Sequence, residues 1–421
     1  MREGWKNLRF SDLFKDPKKA IISGPFGSNL KSAEYQTEGV PLVRLQNVDR
    51  WNFIDKNIIY ITPQKAVELS SHSYKPGDIL ITKLGAPLGK ACIAPESSGE
   101  GIILADIVRV RLDENSQNID FIVYQLNSEI ISSQLKKLTT GATRPRVTLK
   151  NVRELDFIIP PLQEQQQIVS ILDEAFEAID QAKANIEKNI ANAQELFQSK
   201  LNEIFSQRGE GWEEIPIEKV SKVVNGYSFK SKDFSPENEI KSIKITNVGI
   251  MEFVEDPSNN LPFSFLEEYS KVKINEGDLV LALTRTIIKG GLKVAKVPNS
   301  YNGSLLNQRV AAIVPNTKMI DSNYLYYYFS SDIVYNYVLD HVNTLMQPNL
   351  SINDLKNMPV PITSIENQRA ISSQIEHLSE QISSYNDQLN IKLNNLEELK
   401  KSILQKAFAG ELIQNATYVG I

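Results

Sequence analysis

The sequence has one cysteine and three histidines, and this scarcity excludes two common kinds of site. The lone thiol, Cys92, cannot form a disulfide within the chain, so we expect it to be a small core residue. The histidines are far apart, which leaves no metal-ligand spacing. No stretch approaches the ~18 consecutive apolar residues of a membrane span. Residues 1–10 lack the apolar core of a secretory signal, so we expect a cytoplasmic protein without membrane association.

The chain also lacks a strong excess of basic charge. Its 46 basic and 51 acidic residues give a net charge of −5, which argues against a simple basic nucleic-acid binder. The average conceals a pattern, because residues 1–158 hold 22 basic and 18 acidic residues, whereas residues 159–210 hold 4 and 9. A phosphate backbone would not bind the acidic segment. With 41% apolar residues, the chain can bury the cores of two or three domains.

What the sequence does contain is an internal repeat, two copies of a unit of about half the chain. Similar segments recur in the same order at offsets of roughly 200–207 residues. The matches are 4–5 with 211–212, 43–48 with 243–248, 75–80 with 275–280, Thr82-Lys83 with Thr284-Arg285, 144–148 with 347–351, 164–166 with 366–368, and Leu201 and Phe205 with Leu404 and Phe408.

Each copy begins with about 150 residues of mixed character. Alternating apolar runs such as Val40–Leu45 and Ile79–Thr82, separated by Pro-Gly and Gly-Asp pairs, predict short strands. Segments such as Ile119–Leu138 and Tyr324–Leu339 predict helices. The fold class is therefore α+β.

Each copy ends with a long helix. After Pro160-Pro161, and again after Pro361, apolar residues recur at steps of three and four, which is the coiled-coil pattern. Each helix should run about 45 residues. Residues 207–211 are the only link from the first helix to the second globular part, so that part should lie at the far end of the first helix. The second helix should then return along the first, and the two should pack antiparallel. The predicted divisions are a first globular domain (1–158), a central long helix (159–210), a second globular domain (211–361) and a C-terminal long helix (362–421).

Two similar globular domains related by a pseudo-twofold axis match the symmetry of duplex DNA, so we expect two DNA-reading domains that recognise a split site. Groove readout uses basic and amide side chains on loops. The candidates are Lys83, Arg285, Arg144, Arg146, Lys230, Arg44, Lys244, Gln347 and Asn349. For the basic residues the alternative is a solvated charge, and for Arg144 and Arg146 it is that one of them pairs with an acidic residue of the long helices. For Gln347 and Asn349 the alternative is a turn cap.

The starts of the two long helices carry a recurring polar motif, Glu164, Gln165 and Gln166 in the first copy and Glu366, Asn367 and Gln368 in the second. The helix dipole alone explains an acidic residue in a first turn. Because the motif recurs, we also consider that it binds a partner protein.

Two other functions compete with DNA reading by a non-catalytic protein. One is a stand-alone nuclease, for which the best fragment is Asp233 with Glu239-Ile240-Lys241. The other is a two-headed structural protein whose domains bind peptide or glycan. Salt-sensitive DNA binding would argue against the structural protein, since phosphate contacts release counterions.

Several motifs resemble those of one known family, the specificity subunits of type I restriction-modification systems. They are Ile159–Gln165, Ala407–Leu412, Gly24–Ser28, Gly226–Ser231 and Gln347–Ser351. The resemblance covers essentially the whole chain. The second copy departs from the pattern at residues 361–368, where the double proline is lost.

The resemblance implies a target recognition domain in each copy, long helices that bind partners, and a role in phage defence. The implied partners are double-stranded DNA, two methyltransferase subunits and the restriction/translocase subunits. S-adenosylmethionine, ATP and Mg would belong to those subunits and no cofactor to this chain, which would not itself be an enzyme. The residues agree with this, since Ile159 stands where an adenine methyltransferase loop carries Asn or Asp, and no aromatic residue follows to stack on a flipped base.

Overall fold

The computed structural model describes residues 2–25, 29–113, 116–139, 145–207, 209–342 and 349–413. The predicted contacts Arg144 and Gln347 lie outside these ranges. The chain divides into two compact units, each drawing on both long helices. Unit 1 is Met1–Ile186 with Ile391–Ile421, and unit 2 is Glu187–Asn390. No helix in the described ranges is both long and apolar enough to cross a membrane.

Unit 1 is built from short strands and helices followed by a long helix. Its strands are β1 (Lys6–Arg9), β2 (Ile21–Ser23), β3 (Val40–Val43), β4 (Ile59–Ile61), β5 (Ser73–Tyr74), β6 (Ile79–Thr82), β7 (Ala91–Ile93), β8 (Gly101–Ile103), β9 (Ile107–Val110) and β10 (Asp156–Ile159). Its helices are α1 (Pro17–Ala20), α2 (Pro63–Glu68), α3 (Ile119–Leu126), α4 (Glu129–Leu138), α5 (Leu149–Arg153) and the start of α6 (Leu162–Ser206).

Unit 2 repeats this order. Its strands are β11 (Glu213–Pro216), β12 (Ser221–Asn225), β13 (Ile240–Ile243), β14 (Asn260–Leu261), β15 (Lys273–Ile274), β16 (Leu279–Ala282), β17 (Ile287–Ile288), β18 (Gly291–Leu292), β19 (Val294–Lys296), β20 (Ser304–Leu306), β21 (Val310–Pro315) and β22 (Pro359–Ile362). Its helices are α7 (Ile217–Val220), α8 (Phe265–Glu268), α9 (Ser322–Phe329), α10 (Asp332–His341), α11 (Ile352–Asn357) and the start of α12 (Ile365–Ala409).

The sheets of the two units have the same topology. In unit 1 the strand orders are β2-β9-β6-β7 and β4-β3-β8-β5, and β1 pairs with β10. In unit 2 they are β12-β21-β16-β19 and β14-β13-β20-β15, and β11 pairs with β22. Even the parallel pairing of β3 with β8 recurs between β13 and β20. The internal repeat and the mixed fold class are confirmed. The hairpin β17–β18 is an addition of unit 2 among the described strands.

The strand register corrects one predicted equivalence. Leu84 bridges to Arg146 in unit 1, and Thr284 bridges to Asn349 in unit 2. The residue one position earlier, Lys83, therefore corresponds to Leu283, and Arg285 corresponds to a glycine, Gly85. The prediction that Lys83 and Arg285 occupy equivalent positions is wrong. The loop after β16 is longer than the loop after β6, so a match of two threonines misled the alignment.

The long helices α6 and α12 each contain 45 residues, the predicted length. Within unit 1 they run antiparallel, because Asp180 pairs with Lys400 at 2.9 Å and Lys183, further along α6, pairs with Glu397, which is earlier on α12. Within unit 2, Leu201 and Phe205 of α6 share a buried cluster with Ile375 of α12. The antiparallel prediction holds in each unit.

The cores of both units attach the long helices to the sheets. In unit 1 the ring of Phe408 on α12 meets Phe121 of α3, with ring centroids 5.5 Å apart. In unit 2 the ring of Phe205 on α6 lies 5.2 Å from Tyr324 of α9. Cys92 is fully buried, as predicted.

The predicted helices 119–138 and 324–339 are each broken into two. In unit 1 the break falls at Asn127, whose side chain bonds the backbone of Ala91 at 2.8 and 3.1 Å. In unit 2 it falls at Ser330-Ser331, between α9 and α10.

Candidate nucleic-acid interface

Three chain segments meet at one edge of unit 1, namely the end of β6, the residues before β9 and the residues before α5. The backbone N–H of Lys83 donates to the carbonyl oxygen of Asp106 at 2.8 Å, and the N–H of Val147 donates to the carbonyl of Lys83 at 3.0 Å. With the bridge from Leu84 to Arg146, these bonds fix three charged residues beside one another. The structure thus brings together two of the predicted DNA contacts, Lys83 and Arg146.

The charges at this edge of unit 1 are partly paired. Arg146 is 57% exposed, and its Nη2 donates to Asp106 Oδ1 at 2.7 Å. Lys83 is half-buried, and its Nζ donates to Ser23 Oγ at 2.5 Å. Burial lowers the pKa of Lys83, and the nearby Asp106 carboxylate opposes this. An exposed guanidinium can donate two parallel N–H bonds to a guanine edge or a phosphate, and the pairing with Asp106 positions Arg146 for this.

The corresponding edge of unit 2 has different chemistry. Leu283, Arg309 and Asn349 occupy the positions of Lys83, Asp106 and Arg146, as the same backbone bonds show. Arg309 and Asn349 are both exposed. The same scaffold therefore presents a carboxylate with two cations in unit 1, and a guanidinium with an amide in unit 2.

Arg285 lies on the loop of unit 2 that follows this edge, and it is exposed. Its φ is +50° and that of Arg309 is +70°, so both arginines adopt left-handed backbone. Such strain, of order 1–3 kcal/mol, persists only where the surroundings hold the backbone in place. Burial of the Lys293 amine lowers its pKa, and the positive charge of Arg285 lowers it further.

An exposed aromatic residue beside this edge was not singled out from the sequence. Tyr227 is 45% exposed, and its backbone joins the segment before β21 through bonds to Leu306 and Gln308 at 2.9 and 2.8 Å. Its ring lies 4.5 Å from that of Tyr269. The close approach depends on Gly226, where a Cβ would lie 2.0 Å from the Asn307 oxygen. This glycine was part of a noted motif and was the available clue.

The other predicted DNA contacts are less free. Arg44 Nη2 donates to the carbonyl of Asn57, and Lys244 Nζ donates to Asn259 Oδ1 at 2.5 Å. Lys244 also lies 3.4 Å from the ring centre of Phe234. Burial lowers the pKa of this lysine. Both side chains are thus bound to their own unit. Lys230 is exposed, and its backbone N–H is capped by a carboxylate.

Two of the six residues at the helix starts serve the fold. Gln165 is 1% exposed and Gln368 is fully buried, so neither offers a surface to a partner. Gln165 accepts a bond from Asn118 N at 2.9 Å and donates to the Pro160 carbonyl at 2.9 Å. Gln368 makes the same ties in unit 2, to Asp321 N at 2.9 Å and to the Thr363 carbonyl at 2.8 Å. The predicted partner role is corrected for these two residues. Because Gln165 corresponds to Gln368, the predicted match of 164–166 with 366–368 is wrong by one residue.

The other four helix-start residues are accessible to different degrees. Glu164 is partly buried and accepts a bond from Trp5 Nε1 at 2.9 Å. The other three, Gln166, Glu366 and Asn367, are exposed.

The residues considered for a nuclease have structural partners. Asp233 caps a turn by accepting the N–H of Lys230 at 2.9 Å, and the Lys241 ammonium lies 4.4 Å from the Tyr301 ring centre. Across the described ranges, no group of three or more His, Cys, Asp or Glu side chains is arranged to hold a metal ion.

The chain is similar to known proteins of one family over most of its length. A family model described as the type I restriction modification DNA specificity domain matches residues 2–192 and again 209–395. The specificity subunit of the type I restriction enzyme MjaVIII from Methanocaldococcus jannaschii is 26% identical over 80% of this chain and 79% of its own length. That of EcoBI from Escherichia coli is 22% identical over 92% of this chain and 83% of its own.

Solved structures share the fold. One, from work on complex assembly and conformational transition of the type I R-M system, has a TM-score of 0.72 at 17% identity and covers 98% of this chain and 99% of its own. The HsdS subunit of Thermoanaerobacter tengcongensis has a TM-score of 0.57 at 18% identity, with 98% of both chains covered.

Proposed function

Because the chain belongs to the family of type I restriction-modification DNA specificity subunits, we propose that it directs adenine methylation to a DNA site of two separate halves. Each unit would read one half. The family is the DNA-recognition component of these systems, and its curated relatives are named specificity subunits rather than catalytic ones. Since the DNA that it would read is the genome of the cell, we expect the protein to work in the cytoplasm.

One observation carries the proposal of a two-part site. The two units have the same sheet topology and the same backbone bonds at the interface edge, yet the side chains there differ. Unit 1 presents Lys83, Asp106 and Arg146, and unit 2 presents Leu283, Arg309 and Asn349. Identical residues would suit a palindrome, whereas different residues suit two unlike half-sites.

The side chains at each edge suit particular contacts. The exposed Arg146 fork fits the O6 and N7 acceptors of guanine, and the amide of Asn349 fits the N6 and N7 edge of adenine. Lys83, Lys230 and Arg285 suit phosphate contacts, which orient the protein without reading sequence. Lys83, Arg44 and Lys244 would have to leave their present partners to reach DNA.

We further propose that the long helices hold two methyltransferase subunits, and that restriction/translocase subunits join this assembly. Support comes from the exposed Gln166, Glu366 and Asn367 at corresponding helix starts, and from the solved relative that was studied as a type I assembly. The methyl donor, S-adenosylmethionine, and the ATP and Mg of the restriction step would be bound by those subunits.

Base-resolution mapping of adenine methylation, with and without the gene, tests the function. We expect deletion to abolish one split, asymmetric motif throughout the genome, and re-expression of the wild-type chain to restore it. An unchanged methylome in a strain whose methyltransferase subunits are expressed would contradict the proposal.

A further inference from the structure

Unit 2 contains a half-open cavity of about 680 Å³ between its two long helices, the α9–α10 junction and the hairpin β17–β18. Its volume lies within the range of small-molecule sites in proteins. Apolar groups and a carboxylate line it, among them Phe197, Met251, Leu292, Phe329, Asp332 and Ser379. The α9–α10 junction forms one wall, and the glycine turn of the hairpin β17–β18 forms another.

The corresponding region of unit 1 is filled by the chain itself. Trp51 meets Phe176 of α6 edge to face, with ring centroids 5.6 Å apart. The Lys400 ammonium lies 4.4 Å from the Phe176 ring centre and 5.2 Å from that of Trp51. Asp180 completes the arrangement by pairing with this ammonium at 2.9 Å. Two rings, a cation and a carboxylate thus occupy the place that is a cavity in unit 2.

The two regions can be aligned residue by residue. The long helices share an offset of 203 residues, as the matching ties of Gln165 and Gln368 show. Phe176 therefore corresponds to Ser379. The bridges that join Val48 to Phe53 and Val248 to Phe253 align Trp51 with Met251.

This alignment explains the space in unit 2. Met251 stands where unit 1 has an indole, and Ser379 where it has a phenyl ring. Both Trp51 and Met251 have left-handed backbone, with φ of +62° and +53°, so the backbone path is the same and only the side chain differs. By the same offset, Phe197 stands in place of Lys400 and Ser383 in place of Asp180, so unit 2 loses two rings and an ion pair here and gains one ring.

One wall of the cavity carries the negative charge of Asp332, which is exposed and lies in the first turn of α10, where the helix dipole favours a carboxylate. Asp332 Oδ1 accepts a bond from Gln198 Nε2 at 3.1 Å, and Oδ2 accepts one from Asn202 Nδ2 at 2.5 Å. Both donors are neutral amides. Within the described ranges, no lysine or arginine forms an ion pair with this carboxylate. A cation held near it would gain a charge-assisted hydrogen bond to the carboxylate.

We propose that this cavity binds a small planar aromatic compound that carries a cationic amine, with the ring among Phe197, Met251 and Phe329 and the amine towards Asp332. An aromatic ring supplies large apolar area with few bonds to fix. A cation beside aromatic walls also gains from their negative faces. Such a site is independent of the DNA-reading edge and of the helix starts.

Three indole compounds, one cationic, one neutral and one anionic, provide the test on the full-length protein. We expect tryptamine to bind with a dissociation constant below about 1 mM, indole more weakly and indole-3-propionate weakest, by calorimetric titration. The double variant Met251→Trp with Ser379→Phe introduces the two rings of unit 1, and it should lose tryptamine binding at least 10-fold. The variant Asp332→Asn should bring tryptamine and indole-3-propionate within about 3-fold of each other.

Folding of the variants is checked separately. The filled variant should melt no lower than the wild type, because the added rings occupy vacated space. If it instead unfolds, the single variant Ser379→Phe serves in its place. The proposal is overturned if the wild type binds none of the three compounds, or if a folded filled variant binds tryptamine as well as the wild type does.

Discussion

At the scale of single residues, two corresponding aspartates have opposite electrostatic surroundings. Asp78 in unit 1 is 1% exposed, and Arg111 binds it with two hydrogen bonds of 2.8 and 2.7 Å. Asp278 in unit 2 is 7% exposed and accepts the N–H of Asn275 at 2.8 Å. By strand register Val314 stands in place of Arg111. Burial therefore raises the pKa of Asp278.

The variant Asp278→Asn should stabilise the protein at neutral pH. The raised native pKa means that the native state favours the neutral acid, so the aspartate is harmless below its unfolded pKa of about 3.9. Between that value and the higher native pKa, the unfolded state ionises first, so the free energy of unfolding falls as pH rises. Asparagine stays neutral and keeps the bond from Asn275. We expect a higher melting temperature than wild type at pH 7, with the difference shrinking towards pH 4.

The matched variant Asp78→Asn should act in the opposite direction. It leaves the buried Arg109 and the bidentate Arg111 without their carboxylate, which costs about 3 kcal/mol. Calorimetry of the two variants side by side decides the point. Equal melting temperatures for both at pH 7 would contradict this account of the two aspartates.

Arg146→Ala should weaken DNA binding by the assembled complex. Loss of a bidentate base contact predicts a 5- to 150-fold lower affinity for the specific site. Loss of a phosphate contact would instead reduce the slope of log affinity against log salt by about 0.9. Fluorescence anisotropy across a salt series distinguishes these outcomes. Lys19→Ala, which removes a side chain that is 89% exposed on α1, is the control, and the same loss in both variants would refute a specific role.

Residue types were easier to predict than residue partners. Basic loop residues such as Lys83 and Arg146 could be identified from the sequence because they follow strand-like or proline-containing segments. Their hydrogen-bond partners could not be predicted, because Lys83 bonds Ser23, 60 positions away, and Arg146 bonds Asp106, 40 positions away. The false match of Lys83 with Arg285 arose because the sequence shows identity but not strand register.

At the scale of elements, Gln165 and Gln368 fasten the starts of α6 and α12 to the units. Gln165→Leu should destabilise the protein by roughly 1–3 kcal/mol, because the partly buried N–H of Asn118 and the buried carbonyl of Pro160 lose their partner. Thermal unfolding measures this loss. Gln166→Ala, an exposed neighbour, should change stability by less than about 0.5 kcal/mol.

Gln165 and Gln166 should differ in the opposite way in partner binding, because Gln166 is exposed and Gln165 is buried. Gln166→Ala should reduce co-purification of methyltransferase subunits if the exposed helix start contacts them. Gln165→Leu, at a temperature where it remains folded, should not. Reduced co-purification with folded Gln165→Leu alone would contradict the division between internal tie and partner surface.

The long helices were predictable because their apolar period is local and repeats over many turns. The sheets were not, because their pairings are distant. Parallel β3 and β8 join Leu42 to Ile102, a contact with no local pattern in the sequence. The break between α3 and α4 was missed for the same reason, since the amide of Asn127 is held by a distant strand residue, Ala91.

At the scale of the whole molecule, the differing edges predict that variants act on one half of the site. Arg146→Ala should change or relax only one half of the methylated motif, and Asn349→Ala only the other. Base-resolution methylation maps of cells carrying each variant provide the measurement. Changes in both halves from a single variant would argue against one unit reading one half.

Unit 1 has a consequence for synthesis that follows from its order along the chain. Its core includes Leu404, Ala407 and Phe408 of α12, whereas its own part of α6 ends at Ile186. Unit 2 is continuous in sequence, so it can complete its core first. At ~10 residues per second, a ribosome needs roughly 20 s to travel from residue 186 to residue 404. During that interval nascent unit 1 exposes apolar surface, and a chaperone bound there would leave only when the last helix arrives.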